Sequence, residues 1–311
     1  MKFHQSLEDF RGGLPDPVAT IGNFDGLHRG HQAILDQVIE RARERPGTSL
    51  VITFDPHPLK VLAPGRAQKL ILTAGQKLRR IEAAGIDAVL VLPFDARLAA
   101  VTAEAFVNDY LSLGLGLKEV YVGANFNFGR GRAGNADLLV SLCAGLGMRA
   151  GKVEEVRILG SPISSSRIRR AIQAGEVELA AELLGCPFAI EGTVGHGAGR
   201  GAGLGFPTAN LLPQNELLPQ DGVYVTRALL DGATYQGVTN VGSRPTFPDQ
   251  EFAVETHLLD AAPELYGRTL EIDFLARLRQ ELRFESPQAL VEQVRRDVER
   301  AREFFRSGRG A

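Results

Sequence analysis

The hydrophobic period of this chain changes once, near residue 185, and that change restricts its fold more than any other feature. Before it, short apolar runs at 18–21, 50–54, 88–92, 119–122 and 149–153 alternate with helical spacing at about 31–42, 75–84, 102–113 and 135–146. Strands of that kind, separated by crossover helices, predict a doubly wound parallel α/β sheet. Two short helices at 166–174 and 177–184 end at Gly185 and Pro187, a helix stop that marks a domain boundary. Beyond it come β segments at 188–194, 222–230, 234–241, 252–259 and 269–276, punctuated by Asp221-Gly222 and Asp231-Gly232, the spacing of a small barrel or sandwich. A last helix is capped by Ser286 and begins with Pro287; Leu290, Val294, Val298, Ala301 and Phe305 form a stripe that should pack on the β domain.

At about 150 residues per domain, 311 residues suit two domains, 1–185 and 186–311. Lys and Arg number 35 against 37 Asp and Glu, with a balance of +2 before the boundary and −4 after it. Neither half has the basic excess of a nucleic-acid binder. No run of about 18 apolar residues and no signal-peptide pattern occurs, so the expectation is a cytoplasmic chain without a membrane partner. Cys143 and Cys186 stand 43 positions apart with no ligand-spaced neighbours, which suits buried small hydrophobes rather than a disulfide or a zinc site.

Positions 22–31 read GNFDGLHRGH where the first predicted strand meets the first helix, the place where open α/β sheets bind ligands. Backbone N–H groups at a helix start attract phosphate, glycines allow close approach, and His28 and His31 can stabilise charge developing on a phosphoryl group. The plain structural alternative has one His capping the helix and the other exposed; a metal would need a third ligand that the sequence does not offer. At 163–170, ISSSRIRR joins hydroxyls to guanidiniums, as a polyphosphate clamp or as a capped helix with a solvated basic face. In GANFNFG, 123–129, Phe126 and Phe128 either bracket a flat ring or pack in the core.

Seven of the chain's 35 glycines fall between Gly192 and Gly205, and Phe206-Pro207-Thr208-Ala209-Asn210 follows. Such a loop can wrap a polyphosphate, and Thr208 and Asn210, alternating on an extended segment, can offer oxygens to Mg2+; a flexible surface loop has the same composition. No P-loop lysine is present. On the strand at 252–259, Glu255 faces away from Val254, as a general base or as a solvated carboxylate.

Taken together, GxFDGxHxGH at 22–31, TFDPHP at 53–58, ISSxxIR at 163–169, PTAN at 207–210 and VETHL at 254–258 resemble the prokaryotic bifunctional riboflavin kinase/FMN adenylyltransferases, or FAD synthetases, over about 15–305. The resemblance implies a nucleotidyltransferase (Rossmann-like) domain over 1–185 and a small antiparallel β-barrel kinase domain with a terminal helix over 186–311. It implies ATP, riboflavin and FMN as substrates, FMN and FAD as products, and Mg2+; the sequence sets no oligomeric state. By it, His28 and His31 act on the ATP α-phosphate, while Gly22, Phe24, Asp25, Gly26, Asn125, Ser164, Ser165, Arg167 and Arg169 hold the nucleotide. Pro56, Pro58, Phe126 and Phe128 line a flavin pocket. In the kinase, Gly205, Pro207, Thr208 and Asn210 bind nucleotide, Thr208 and Asn210 bind the metal, and Glu255 is the base. Arg279 and Glu281, with 240–247, belong to segments around the kinase flavin site. Ala202 and Gly203 depart from the family's HGxxRGRxLGF form, removing an arginine and bearing on kinase affinity for ATP. The rival readings are an adenylyltransferase with a weak or lost kinase, and a non-catalytic flavin- or nucleotide-binding regulator; His28, His31 and Glu255 count against the second.

Overall fold

In the first unit, Met1–Lys69 with Ala74–Ser164, six parallel strands form one sheet. They are β1 (Lys2–His4), β2 (Val18–Ile21), β3 (Ser49–Asp55), β4 (Ala88–Pro93), β5 (Glu119–Gly123) and β6 (Arg149–Val153), in the order β1-β4-β3-β2-β5-β6. The computed structural model describes residues 1–10, 13–196, 203, 205–243, 252–261 and 263–309. All of β2 and the first five residues of β3 are buried, as strands covered on both faces by helices must be. From β2 the chain builds outward through β3 and β4 on one side, and β5 and β6 lie on the other. The switch point is therefore the gap between β2 and β5, where such sheets bind ligands.

Helices α1 (Arg29–Arg43), α2 (Ala74–Ala83) and α3 (Ala136–Gly145) flank the sheet. α1 buries Ile34, Leu35, Val38, Ile39 and Ala42 along one stripe. Its orientation is fixed at the far end, where the Arg41 Nε donates at 3.0 Å to Glu119, a carboxylate 1% exposed at the start of β5. The helix expected at 102–113 is instead a short α turn, Ala103–Ala105, that runs into a π-helical stretch, Phe106–Gly114. The wider i→i+5 turns, such as Leu115 N–H to Tyr110 O at 3.0 Å, still bury Phe106, Val107 and Leu111, so the apolar spacing alone does not separate the two forms. β1 was not expected: three residues at a sheet edge, held by their parallel pairing with β4, carry no apolar run.

The second unit, Leu70–Thr73 with Ser165–Ala311, opens its main segment with α4 (Ser165–Gln173) and α5 (Val177–Leu184), which ends on left-handed Gly185. Six antiparallel strands follow: β7 (Phe188–Gly195), β8 (Ala209–Pro213), β9 (Gly222–Leu230), β10 (Ala233–Ser243), β11 (Phe252–Leu258) and β12 (Thr269–Arg279). They close as a barrel in the order β7-β8-β11-β10-β9-β12, so the barrel and not the sandwich is realised. Sequence reading found five of the six and treated β8 only as an extended segment. Inside, Thr226, Thr239 and Thr256 link hydroxyls at 2.7 and 2.9 Å, satisfying buried polar groups that have no access to water.

Arg277 of β12 joins the two short helices to this barrel. Its guanidinium donates to Ala174 O at 3.2 Å, Gln220 Oε1 at 2.7 Å and Asp221 O at 2.8 Å, and its backbone N–H donates to Glu178 at 3.2 Å. The terminal helix α6 (Pro287–Arg306) is capped as expected, Ser286 Oγ accepting from the Ala289 N–H at 3.2 Å. Its buried face is turned slightly from the expected stripe: Asp297, Val298, Ala301 and Phe304 are buried, with Phe305 only partly so. The cause is a charge, because Asp297 is drawn inward by the Arg279 guanidinium at 2.8 Å.

Candidate active sites

The loop after β2 turns through left-handed residues Phe24 (φ 49°), Gly26 (φ 90°) and Leu27 (φ 43°). A bulky residue in that region costs on the order of 1–3 kcal/mol. Burial of the Phe24 and Leu27 side chains offsets it. Glycine lets the Phe24 ring lie close at position 22, where a Cβ would sit a tight 3.1 Å from it. The loop delivers His28 to the N-cap of α1, its Nδ1 accepting the His31 N–H at 3.3 Å. The His28 and His31 rings stack, centroids 3.6 Å apart and planes 16° from parallel.

With Nδ1 engaged as an acceptor, His28 carries its proton on Nε2 and presents a donor. Burial pulls the His28 pKa down to about 4, and burial together with the neighbouring His28 holds His31 well below its ordinary value. The free protein thus holds two neutral imidazoles at a helix N-terminus; an arriving polyphosphate would favour their protonation. Sequence reading left open a cap plus an exposed His. The cap is real, but His31 is partly buried and stacked on it.

The ends of β3, β2 and β5 are adjacent in the sheet, so segments 53–58, 22–31 and 123–129 emerge side by side. After β3, Pro58 begins a one-turn helix, Pro58–Leu62, capped by His57, with Pro56 exposed before it. Leu59 and Leu62 on that turn are 40% and 56% exposed and form an apolar lip that sequence reading did not single out. Phe126 and Phe128 stack at 5.4 Å. Phe128 is buried against Phe106 at 6.0 Å, so it packs in the core and backs Phe126, which keeps an accessible face. Asn125 is exposed beside it. The ISSxxIR segment is divided: Ser164 ends the first unit, while Ser165, Arg167 and Arg169 lie on α4 in the second, with Arg169 on the buried face.

In the barrel, Glu255 of β11 pairs with Asn210 of β8 on one side and with Asn240 of β10 on the other. All three are partly buried. Their neighbours Thr239 and Thr256 point into the barrel, so the period of two sends the carboxylate and both carboxamides to the opposite face. Asn240 was not singled out beforehand because only the strand register places it opposite Glu255. Thr208 lies just before β8, and the segment around it is held to β11 through His257, whose Nδ1 is 2.9 Å from Pro207 O and whose ring meets Phe206 edge-on at 5.6 Å. A cavity of about 690 Å³ opens beside Phe206 and His257, with Val298 and Arg302 of α6 on its wall, within the size range of small-molecule sites.

Gly205 is left-handed (φ 86°). Most of the glycine loop, 197–202 and 204, including the Ala202 departure, lies outside the described residues, as do 244–247; Gly203 is described and exposed. Glu281 rests on Gly242, where a Cβ would come within 2.7 Å of its Oε1. Burial raises the Glu281 pKa, Asp221 adds to the shift and Arg279 opposes it. Arg279 itself is engaged by Asp297 and anchors α6 beside that carboxylate.

A parallel-sheet switch point in one unit and a closed barrel in the other define a protein with two candidate active sites. Residues 13–167 match the FAD synthetase family and residues 184–305 the riboflavin kinase family. The chain is 40% identical to the bifunctional riboflavin kinase/FMN adenylyltransferase of Escherichia coli (strain K12), over 93% of this chain and 92% of that one. It is 40% identical to that of Pseudomonas fluorescens, covering 97% of each, and 36% identical to that of Bacillus subtilis (strain 168), covering 93% and 92%. A crystal structure described as a macrolide-efflux protein from Streptococcus pneumoniae superposes with a TM-score of 0.88 at 31% identity, covering 96% of this chain and 98% of that one. Among the described residues no helix is long and apolar enough to cross a membrane. The chain belongs to the bifunctional riboflavin kinase/FMN adenylyltransferase family.

Proposed function

We propose that the barrel transfers the γ-phosphoryl group of ATP to the 5′-hydroxyl of riboflavin, giving FMN and ADP, and that the α/β unit transfers AMP from a second ATP to FMN, giving FAD and pyrophosphate. The observation that carries this reading is the pairing, in one chain, of the stacked His28–His31 cap with a Glu255 that lies between Asn210 and Asn240.

In adenylyl transfer, an FMN phosphate oxygen attacks the ATP α-phosphorus as the bond to the β-phosphate oxygen breaks. His28 Nε2–H and the N–H groups at the start of α1 supply donors where charge builds. Within this unit, Gly22, Asp25, Gly26 and Asn125 stand around the nucleotide, and Ser164 at the unit's end helps to hold the departing pyrophosphate. Pro56, Pro58 and Phe126, with Leu59 and Leu62, offer apolar surface to the isoalloxazine ring. In phosphoryl transfer, Glu255 accepts the proton of the riboflavin 5′-hydroxyl as it attacks the γ-phosphorus. Glu281 and Arg279 stand at the flavin end.

Among the described residues no group of three His, Cys, Asp or Glu side chains is placed to hold a metal. That fits Mg2+ bound mostly through substrate phosphates and water, which needs only one or two protein oxygens. Thr208 and Asn210 would hold it, and it would neutralise polyphosphate charge. We place the enzyme in the cytoplasm, a reducing setting that suits the free thiols of Cys143 and Cys186. The test supplies riboflavin with MgATP, and separately FMN with MgATP, and separates the flavins by chromatography. FMN and FAD from the first and FAD from the second are expected; a missing product removes the corresponding half.

A further inference from the structure

Lys77 on α2 reaches Thr53, near the end of β3, from a helix not named in any motif above. Its Nζ donates to the Thr53 Oγ1 at 3.2 Å, and Thr53, fully buried, spends its own hydroxyl proton on Asn23 O at 3.4 Å in the histidine loop. An ammonium has three N–H donors. Among the described residues Thr53 is its sole hydrogen-bond acceptor, and no carboxylate stands within the 4.0 Å of an ion pair. Asp55 and Asp25 act on it only at longer range. Removal from water holds its pKa below that of a free lysine, with those two carboxylates opposing the shift.

A partly dry ammonium with two undirected donors is a poor structural ion pair, because the cost of desolvating it is not recovered by a partner. It is an effective receptor for an anion that brings its own charge. Resting on the adenylyl-transfer reading above, we infer that Lys77 is a further phosphate-binding residue of that site, its free N–H donors taking a nonbridging oxygen of a bound phosphate group. Both substrates carry one: the FMN monophosphate and the ATP polyphosphate share this chemistry. The lysine would hold that phosphate from the β3 side, across from the histidine cap on α1.

The test measures FMN adenylylation, varying FMN and ATP in turn, in the full-length wild type, Lys77→Met, Lys77→Arg and Thr53→Val, with urea unfolding of each. Lys77→Met is expected to lower kcat/KM at least tenfold, and Lys77→Arg, which keeps the charge, to recover part of the loss. A raised KM for FMN assigns the lysine to the monophosphate; a raised KM for ATP assigns it to the polyphosphate. Thr53→Val, which removes the link to Asn23 but leaves the cation, is expected to cost much less than Lys77→Met. Lys77→Met within twofold of wild type, or Thr53→Val costing as much as Lys77→Met, would overturn the inference, the second by showing that Lys77 acts only by bracing the loop. If Lys77→Met does not fold, Lys77→Arg near wild type with Thr53→Val severely impaired overturns it equally. Failure of the wild type to make FAD from FMN would instead remove the reading on which it rests.

Discussion

Asn210 and Glu255 face each other across the ladder between β8 and β11, and Asn240 flanks the same carboxylate from β10. Both cross-strand partners of Glu255 in this register are carboxamides, groups that can donate as well as accept hydrogen bonds.

Glu255→Gln keeps the shape and removes the basic oxygen. Kinase kcat should fall by roughly 10²- to 10⁴-fold with flavin affinity little changed, read by steady-state kinetics and flavin titration. FAD should still form from supplied FMN, since that chemistry uses the other unit. Near-normal kinase kcat would make Glu255 a positioning residue.

His28→Asn preserves an acceptor for the His31 N–H at the N-cap of α1 and deletes the Nε2 donor. Adenylylation of FMN should drop by about two orders of magnitude. A loss below threefold would show that the outward donor is idle.

The same histidine predicts a pH dependence of stability. His28 titrates near its ordinary value when unfolded and at about 4 when folded, so between roughly pH 6.5 and 4 the unfolded chain binds the extra proton. Stability should therefore decline as pH falls through that window and level off below it, and His31 acts in the same direction. Urea unfolding across this range should show a shallower slope in His28→Asn; an unchanged slope would contradict the buried, neutral state.

A fragment of residues 165–311 should be more stable than one of 186–311, although both lack the 70–73 segment. Without α4 and α5, Arg277 loses the Ala174 carbonyl and the Glu178 carboxylate. Both bonds are solvent-exposed, so each loss costs about 1 kcal/mol or less. Equal urea midpoints would mean that the helices merely rest on the barrel. The shorter fragment should nonetheless make FMN and no FAD, as expected for a boundary at Gly185.

What was legible from residues alone follows from where the signal lies. β2 and β3 are continuous apolar runs, and such runs announce themselves. β1 and β8 do not, because Lys2–His4 and Ala209–Pro213 are strands chiefly through their partners. His28 and Glu255 were visible through local motifs, but Asn240 becomes a neighbour of Glu255 only through register. Lys77 reaches the site from a helix more than forty residues beyond the histidines, and no spacing rule connects them. The inward turn of Asp297 on α6 likewise required its partner Arg279, on another element, to be placed.

The central claim is that one chain performs both transfers in sequence, and phosphorus labelling tests it most directly. The protein is incubated with riboflavin and either γ-labelled or α-labelled MgATP, and the label in each flavin is followed with time. γ-Label should enter FMN first and then FAD, while α-label should enter FAD alone, after a lag set by FMN formation. γ-Label absent from every flavin would contradict the kinase half, and α-label absent from FAD would contradict the adenylyltransferase half.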